Sequence, residues 1–206
     1  LWVCGRNQVG QLGIGSAELV INIWTKVTEP LLLNKIDKIY SRGSTPIIIF
    51  IVDKDGYLWR TGESTNGVAG DGTSNNYNIF TRSNFFGPVS GIYIDHLRFN
   101  TAAAYIITKD SNIYVTGRNS AGQLGLGNTA NVLTWTKIDI VGINNNVKTL
   151  CTSSNEFSFI LTLNGDIYGC GRSTYGRLGL GVTTDVLTWT KITISGIAGN
   201  VKEMSL

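Results

Sequence analysis

Four copies of one glycine-spaced motif carry the residue pattern that most invites a chemical reading: GRNQVGQLGIG from Gly5, GESTNGVAGDG from Gly62, GRNSAGQLGLG from Gly117 and GRSTYGRLGLG from Gly171. Glycine holds the first, sixth, ninth and eleventh places of each copy. These are Gly5, Gly10, Gly13 and Gly15; Gly62, Gly67, Gly70 and Gly72; Gly117, Gly122, Gly125 and Gly127; and Gly171, Gly176, Gly179 and Gly181. A glycine-rich loop can cradle phosphate when it lies between a strand and a helix N-terminus, usually with a Lys-Ser/Thr pair that grips phosphate and metal. No copy supplies that pair or a following helical pattern. The sixteen glycines are therefore assigned to sharp turns and close backbone approach, with Leu12, Leu124 and Leu178 plugging the space between units.

The other reactive residue types are sparse. His96 is the only histidine, so no His-based metal cluster can form, and no glycine-flanked serine accompanies it as a nucleophile. It falls where other units carry Thr149 or Glu203, which marks it as an ordinary strand residue. The stretch Asp53 to Gly56, DKDG, resembles the start of a calcium loop, yet place twelve is Ser64 and not the bidentate glutamate. Cys4, Cys151 and Cys170 show no CxxC spacing and are expected to be small buried hydrophobes, neither a disulfide framework nor a zinc site. No catalytic, cofactor-binding or metal residue is assigned, and the chain is not expected to be an enzyme.

Two further residue sets recur. Trp24, Trp135 and Trp189, with Phe80 in the second copy, could form aromatic platforms for a ligand, but strict recurrence fits repeated packing better. Arg6, Arg118 and Arg172 occupy one motif position, so a positively charged rim is conceivable, a solvated face being the simpler expectation. Seventeen basic against fourteen acidic residues leave a net +3, too weak and dispersed for an electrostatic grip on nucleic acid. The longest apolar run, Ile47 to Val52, is far below the roughly 20 residues of a membrane-spanning helix. The sparse cysteines favour an intracellular reducing compartment or an assembled particle over disulfide-rich secretion.

The elements that must position these residues follow from the repeat. Successive motifs start 57, 55 and 54 residues apart, and a period near 50 indicates a solenoid, propeller or array. Ile113–Cys151 and Ile167–Ser205 agree at 23 of 39 positions, so the last two units are duplicates of one structural unit. Ahead of three of the motifs lie two apolar runs around a turn pair, Asp55-Gly56, Ser111-Asn112 or Asn164-Gly165, placed where hairpin geometry needs positive φ. After the motif come a polar loop, a short strand at most (Ile23 to Val27, Ile79 to Ser83, Thr134 to Ile138, Thr188 to Ile192), and an alternating segment such as IDKIYSR or VKEMSL expected to be another strand.

Four strands per unit and almost no helical periodicity predict an all-β chain whose units are propeller blades of 50–57 residues. Residues 1–206 are expected to form one propeller segment, with repeats beginning near residues 1, 58, 113 and 167. A ring closed from these residues alone would lack one strand in one blade. That deficit points to a part of a longer propeller, or to an open array completed by another copy or partner.

The pattern GRNxxGQLGLG, preceded by a hairpin ending in Leu-Trp or Ile-Tyr, resembles the regulator of chromosome condensation repeat family. The second copy departs from it, with Glu63 for arginine and Val68-Ala69 for Gln-Leu. The resemblance implies a β-propeller, typically of seven blades of which four are visible, used as a rigid platform for binding proteins. A noncatalytic scaffold is therefore expected, its partners another protein or further copies of itself, contacted through variable inter-strand loops. Two alternatives stay open: a structural or adhesive component of a virion or cell-surface assembly, and a guanine nucleotide exchange factor for a small GTPase. The family's exchange activity rests on an inserted wedge, and these units show no such insertion.

Overall fold

The computed structural model describes the chain apart from residues 17, 34, 42–46, 84, 101, 144, 198–199 and 206. It contains one two-stranded and three four-stranded antiparallel sheets. β1 (Trp2–Arg6) pairs with β2 (Val20–Lys26). The first full sheet holds β3 (Ile36–Ser41), β4 (Ile48–Asp53), β5 (Leu58–Gly62) and β6 (Tyr77–Ser83) in sequence order. The second holds β7 (Ile94–Asn100), β8 (Ala103–Thr108), β9 (Ile113–Gly117) and β10 (Val132–Ile138), and the third β11 (Val147–Thr152), β12 (Phe157–Thr162), β13 (Ile167–Gly171) and β14 (Val186–Ile192). Up-and-down order in every sheet is the arrangement of a propeller blade.

The chain thus forms three complete blades and the outer half of a fourth, as an unclosed ring. Among the described residues the half blade has two strands, β1 and β2, which correspond to the third and fourth of the other sheets. Among the described residues no helix is long and apolar enough to cross a membrane.

Two expectations about strands need correction. The segments around Trp-Thr-Lys are full seven-residue strands, β2, β6, β10 and β14, and not short ones. Their early residues bond to the glycine at the end of the third strand across a bulge, an extension that the polar loop residues disguise in sequence. Conversely, residues 201–205 of VKEMSL form no strand. They lie beside β11, where the Cys151 thiol and the Lys148 ammonium donate to the carbonyls of Met204 and Lys202, without forming a strand ladder among the described residues.

The three hairpins form as expected, with different turns. Each is a three-residue loop closed by a type I turn and one left-handed residue: Gly56 (φ 92°), Ser111 (φ 56°) and Gly165 (φ 79°) donate their N–H to Asp53, Thr108 and Thr162. Only one residue per loop needs positive φ, and in the second loop it is Ser111 and not Asn112. Asp53 is buried and fully used: one oxygen accepts from the Asp55 and Tyr57 N–H groups, the other from Trp59 Nε1 at 2.8 Å. A carboxylate so occupied anchors the hairpin and leaves the calcium-loop resemblance without its first ligand.

Hydrophobic burial lies between blades. β5, β8 and β9 are buried at every residue, which explains why their sequences do not alternate. One core joins the half blade to the first full blade through Val27, Ile51, Trp59 and Phe80. A second joins the first and second full blades, including Phe50, Leu58, Ile106 and Trp135, and a third joins the second and third, including Tyr105, Val115, Leu150 and Trp189. The innermost strands touch their successors: Lys38 Nζ donates to the Asp95 carbonyl at 3.0 Å, and the Thr152 hydroxyl donates to the Phe99 carbonyl.

Candidate functional site

The glycine motifs build the joints between blades and, on the same side of the sheets, one rim. All sixteen motif glycines have positive φ, from 66° at Gly13 to 108° at Gly5. At Gly125 the need for glycine is also steric, since a Cβ there would overlap Trp189 Cδ1 and Nε1 of the next blade. Gly70 meets Trp135 in the same way, and Gly13 meets Phe80. Each joint is completed by backbone: the N–H groups of Gly15, Gly72 and Gly127 donate to Asn78, Leu133 and Leu187 at 2.8–2.9 Å. The hydroxyls of Thr61 and Thr116, both on third strands, donate to the carbonyls of Gly10 and Gly67 at 2.9 Å. Leu12, Leu124 and Leu178 are buried beside these glycines.

Trp135 and Trp189 are 3% and 8% exposed and Phe80 2%, so these recurring aromatics pack between blades. Trp24, at the same place in β2, is 67% exposed, because no glycine motif precedes it among residues 1–206. The second joint has its own solution. Where other units have Leu at the eighth motif place and Ile or Leu at the tenth, this one has Ala69 and Asp71. Arg60, standing where Val115 and Gly169 stand elsewhere, fills the vacated volume and pairs with Asp71 at 3.0 Å, both side chains being mostly buried. Among the described residues its Nε and Nη1 have no hydrogen-bond partner, but the guanidinium lies over the Tyr77 ring, 4.7 Å from the centroid.

On the rim, arginine at the second motif place does not produce a ring of positive charge. Arg118 of one blade and Arg172 of the next flank the buried carboxylate of Glu156, at 3.1 and 2.7 Å. In the second motif Glu63 stands in the arginine place and accepts from the Ile47 N–H. Arg6 pairs locally with Gln8. The rim is therefore close to charge-balanced, and two of its arginines tie adjacent blades together.

The third motif residue, which the sequence reading passed over, holds the rim loops. Asn7, Ser64, Asn119 and Ser173 are all buried. Asn119 Oδ1 accepts from the Leu124 N–H at 2.9 Å while its Nδ2 donates to the Asn128 carbonyl at 2.8 Å; Asn7 makes the corresponding bonds to Leu12, Ser16 and Glu18. In turn the N–H groups of Ser64, Asn119 and Ser173 donate to Asn76, Asn131 and Asp185. A polar residue at place three followed by Asn or Asp twelve residues later was the available signal. Between the last motif glycine and that acceptor, residues 73–75, 128–130 and 182–184 form exposed tips, apart from the partly covered Thr73, and their sequences differ: TSN, NTA and VTT.

His96 lies exposed on β7 beside Asp95, with Nδ1 and a carboxylate oxygen 2.8 Å apart. Among the described residues no three His, Cys, Asp or Glu side chains converge as a metal site would require. The cysteines are unpaired and differ in exposure. Cys170 is buried as expected, and burial pushes its thiol well above the usual value; Cys151 is half-buried and shifted the same way. Cys4 is exposed, a correction that follows from its place on the uncovered half blade. In dilute solution iodoacetamide should alkylate Cys4 first and Cys151 slowly, with Cys170 reacting only on unfolding, at least about a hundredfold slower. Peptide mass mapping over time checks that order.

Radially repeated four-stranded antiparallel sheets joined by glycine motifs define a β-propeller segment. No family model matches the chain. Over 203 residues it is 30% identical to the ultraviolet-B receptor UVR8 of Arabidopsis thaliana, an alignment covering 93% of this chain and 42% of the receptor. The structure of human WBSCR16 superposes with a TM-score of 0.76 at 18% identity, covering 100% of this chain and 52% of that one. Yeast RCC1 (Prp20), in a structure with Kap60 bound, superposes with a TM-score of 0.70 at 20% identity, covering 94% of this chain and 44% of that one. The chain belongs to the β-propeller family built from regulator of chromosome condensation repeats. It spans about half the length of these relatives.

Proposed function

We propose that this chain is a noncatalytic propeller segment that binds other proteins through the loop tips of its glycine-motif rim. The observation that carries this reading is the pairing of exposed, dissimilar tips with a recurring buried anchor, Ser64, Asn119 or Ser173, to which the exposed Asn76, Asn131 or Asp185 that closes each loop is hydrogen-bonded. Pre-organised loops lose little conformational entropy on binding, and recognition can vary with the tip while the frame stays fixed. The reported complex of Prp20 with Kap60 supports protein binding as a use of this fold. Nucleotide exchange is less well supported, because the motif-to-strand loops of this chain carry no projecting wedge among the described residues.

The test is to replace residues 73–75, 128–130 and 182–184 together with Ser-Gly-Ser and compare partner capture from the native source. The variant should keep its circular dichroism and unfold within a few degrees of the parent, yet lose the proteins the parent retains. A control altered at the opposite-rim hairpin residues Lys54, Lys109 and Leu163 should keep them. An unchanged partner set on the loop-tip variant would overturn the assignment.

A further inference from the structure

An asparagine followed by glycine is prone to cyclise, because glycine puts no side chain between its backbone nitrogen and the neighbouring side-chain amide. The chain has two such pairs, Asn66-Gly67 and Asn164-Gly165, and the fold places them in opposite settings. Asn66-Gly67 is locked into the joint between the first and second full blades. Asn66 Oδ1 accepts from Asn131 Nδ2 of the next blade at 3.0 Å, and the Gly67 N–H donates to the carbonyl of the buried Ser64 at 2.9 Å. Val68 and Ala69 are buried behind it, and a Cβ on Gly67 would overlap Leu133. Ring closure at this pair requires the joint itself to open.

Asn164 stands at the tip of the third blade's hairpin, on the opposite rim. Leu163 and Asn164 are exposed, and among the described residues the Asn164 amide has no hydrogen-bond partner. The Gly165 N–H donates to the Thr162 carbonyl at 3.0 Å, the bond that must open before its nitrogen can attack. Below the tip the hairpin stays closed through the Thr162 N–H on the Asp166 carbonyl and the Asp166 N–H on the Thr162 hydroxyl, both at 2.9 Å. Opening one turn bond at an exposed tip is a local fluctuation, whereas opening a packed joint disrupts many contacts at once.

We propose that Asn164 is a site of spontaneous covalent modification, with water as the co-reactant and Asn66 as its protected counterpart. The Gly165 nitrogen bonds to Asn164 Cγ, the Cγ–Nδ2 bond breaks, and the Gly165 N–H proton leaves with that nitrogen as ammonia. Water then opens the cyclic imide at either of its two C–N bonds, giving aspartate or its β-linked isomer. Each event consumes one water and releases one ammonia. Either product puts a new carboxylate on the hairpin, two residues from Asp166, which pairs with Lys191 at 2.9 Å. The β-linked isomer also lengthens the loop by a backbone methylene, which takes the Gly165 N–H out of line with the Thr162 carbonyl.

Incubating the folded 206-residue chain in mildly alkaline buffer, with peptide mass mapping over time, tests this. Asn164 should gain the mass of an amide turned into an acid at least about tenfold faster than Asn66, and both the aspartate and the β-linked peptide should appear at that position. In guanidinium chloride, where both pairs are exposed, the two rates should fall within about threefold of each other. Asn164→Gln should abolish the change at residue 164 and leave the rate at Asn66 as it was. Equal rates at the two pairs in the folded chain, an Asn164 that reacts only once the chain is unfolded, or the absence of a β-linked product would overturn the proposal. Asn164 lies on the rim opposite the loop tips, so this proposal and the partner-binding assignment fail separately.

Discussion

Arg60→Val is expected to lower the free energy of unfolding by about 3 kcal/mol, the low end for breaking a mostly buried ion pair. Asp71 would be left in the joint without its guanidinium, although it still accepts from Thr73. The triple variant Arg60→Val, Ala69→Leu, Asp71→Leu installs the residues of the third unit, Val115, Leu124 and Leu126, and should come back to within about 1 kcal/mol of the parent or exceed it. Urea denaturation midpoints read both effects. A triple variant as unstable as the single one would show that Arg60 and Asp71 do not substitute jointly for apolar packing.

Gly125→Val should cost about 2–5 kcal/mol. Roughly 1–2 kcal/mol comes from forcing a side chain into the left-handed region and about 1–3 from overpacking against Trp189. The φ of 71° and the overlap with the indole ring are both present at this glycine. Gly179→Val occupies the same motif place with φ 68° and open space, so in dilute solution it should cost only the backbone part, about 1–2 kcal/mol. Equal losses at the two positions would mean that the next blade's aromatic contributes nothing to the need for glycine.

Most of the frame was legible in sequence because its signals are local. A period near 55 residues, turn residues at fixed offsets and buried strands rich in Ile, Val, Tyr and Trp each constrain one unit, and four copies of the glycine motif and three of the hairpin agree. What escaped depended on neighbours. The exposure of Trp24 and Cys4 follows from the place of β1 and β2 at the edge of the described arc, which no property of Trp-Thr-Lys or of a lone thiol reveals. Residues 201–205 alternate like a strand but form no ladder among the described residues, and an alternating pattern does not by itself supply a pairing partner. For Arg118 and Arg172 the sequence favours a solvated face over a charged rim, and neither reading contains Glu156, which the fold brings between them from a different strand connection. The Arg60–Asp71 pair is the reverse case: two breaks in the motif that look damaging singly compensate each other across 11 residues. The clamp at Asn7, Ser64, Asn119 and Ser173 was readable in principle, through its twelve-residue offset to Asn76, Asn131 and Asp185.

The central claim is that the glycine motif is a joint, shaped to receive the aromatic of the following blade's fourth strand. A double-mutant cycle between Gly125→Ala and Trp189→Ala measures that relation directly. Trp189→Ala removes the ring that the new methyl would strike, so the double variant should lose at least about 1 kcal/mol less than the sum of the single losses. Additivity to within about 0.5 kcal/mol would contradict the account, for it would mean that residue 125 and the indole do not feel each other.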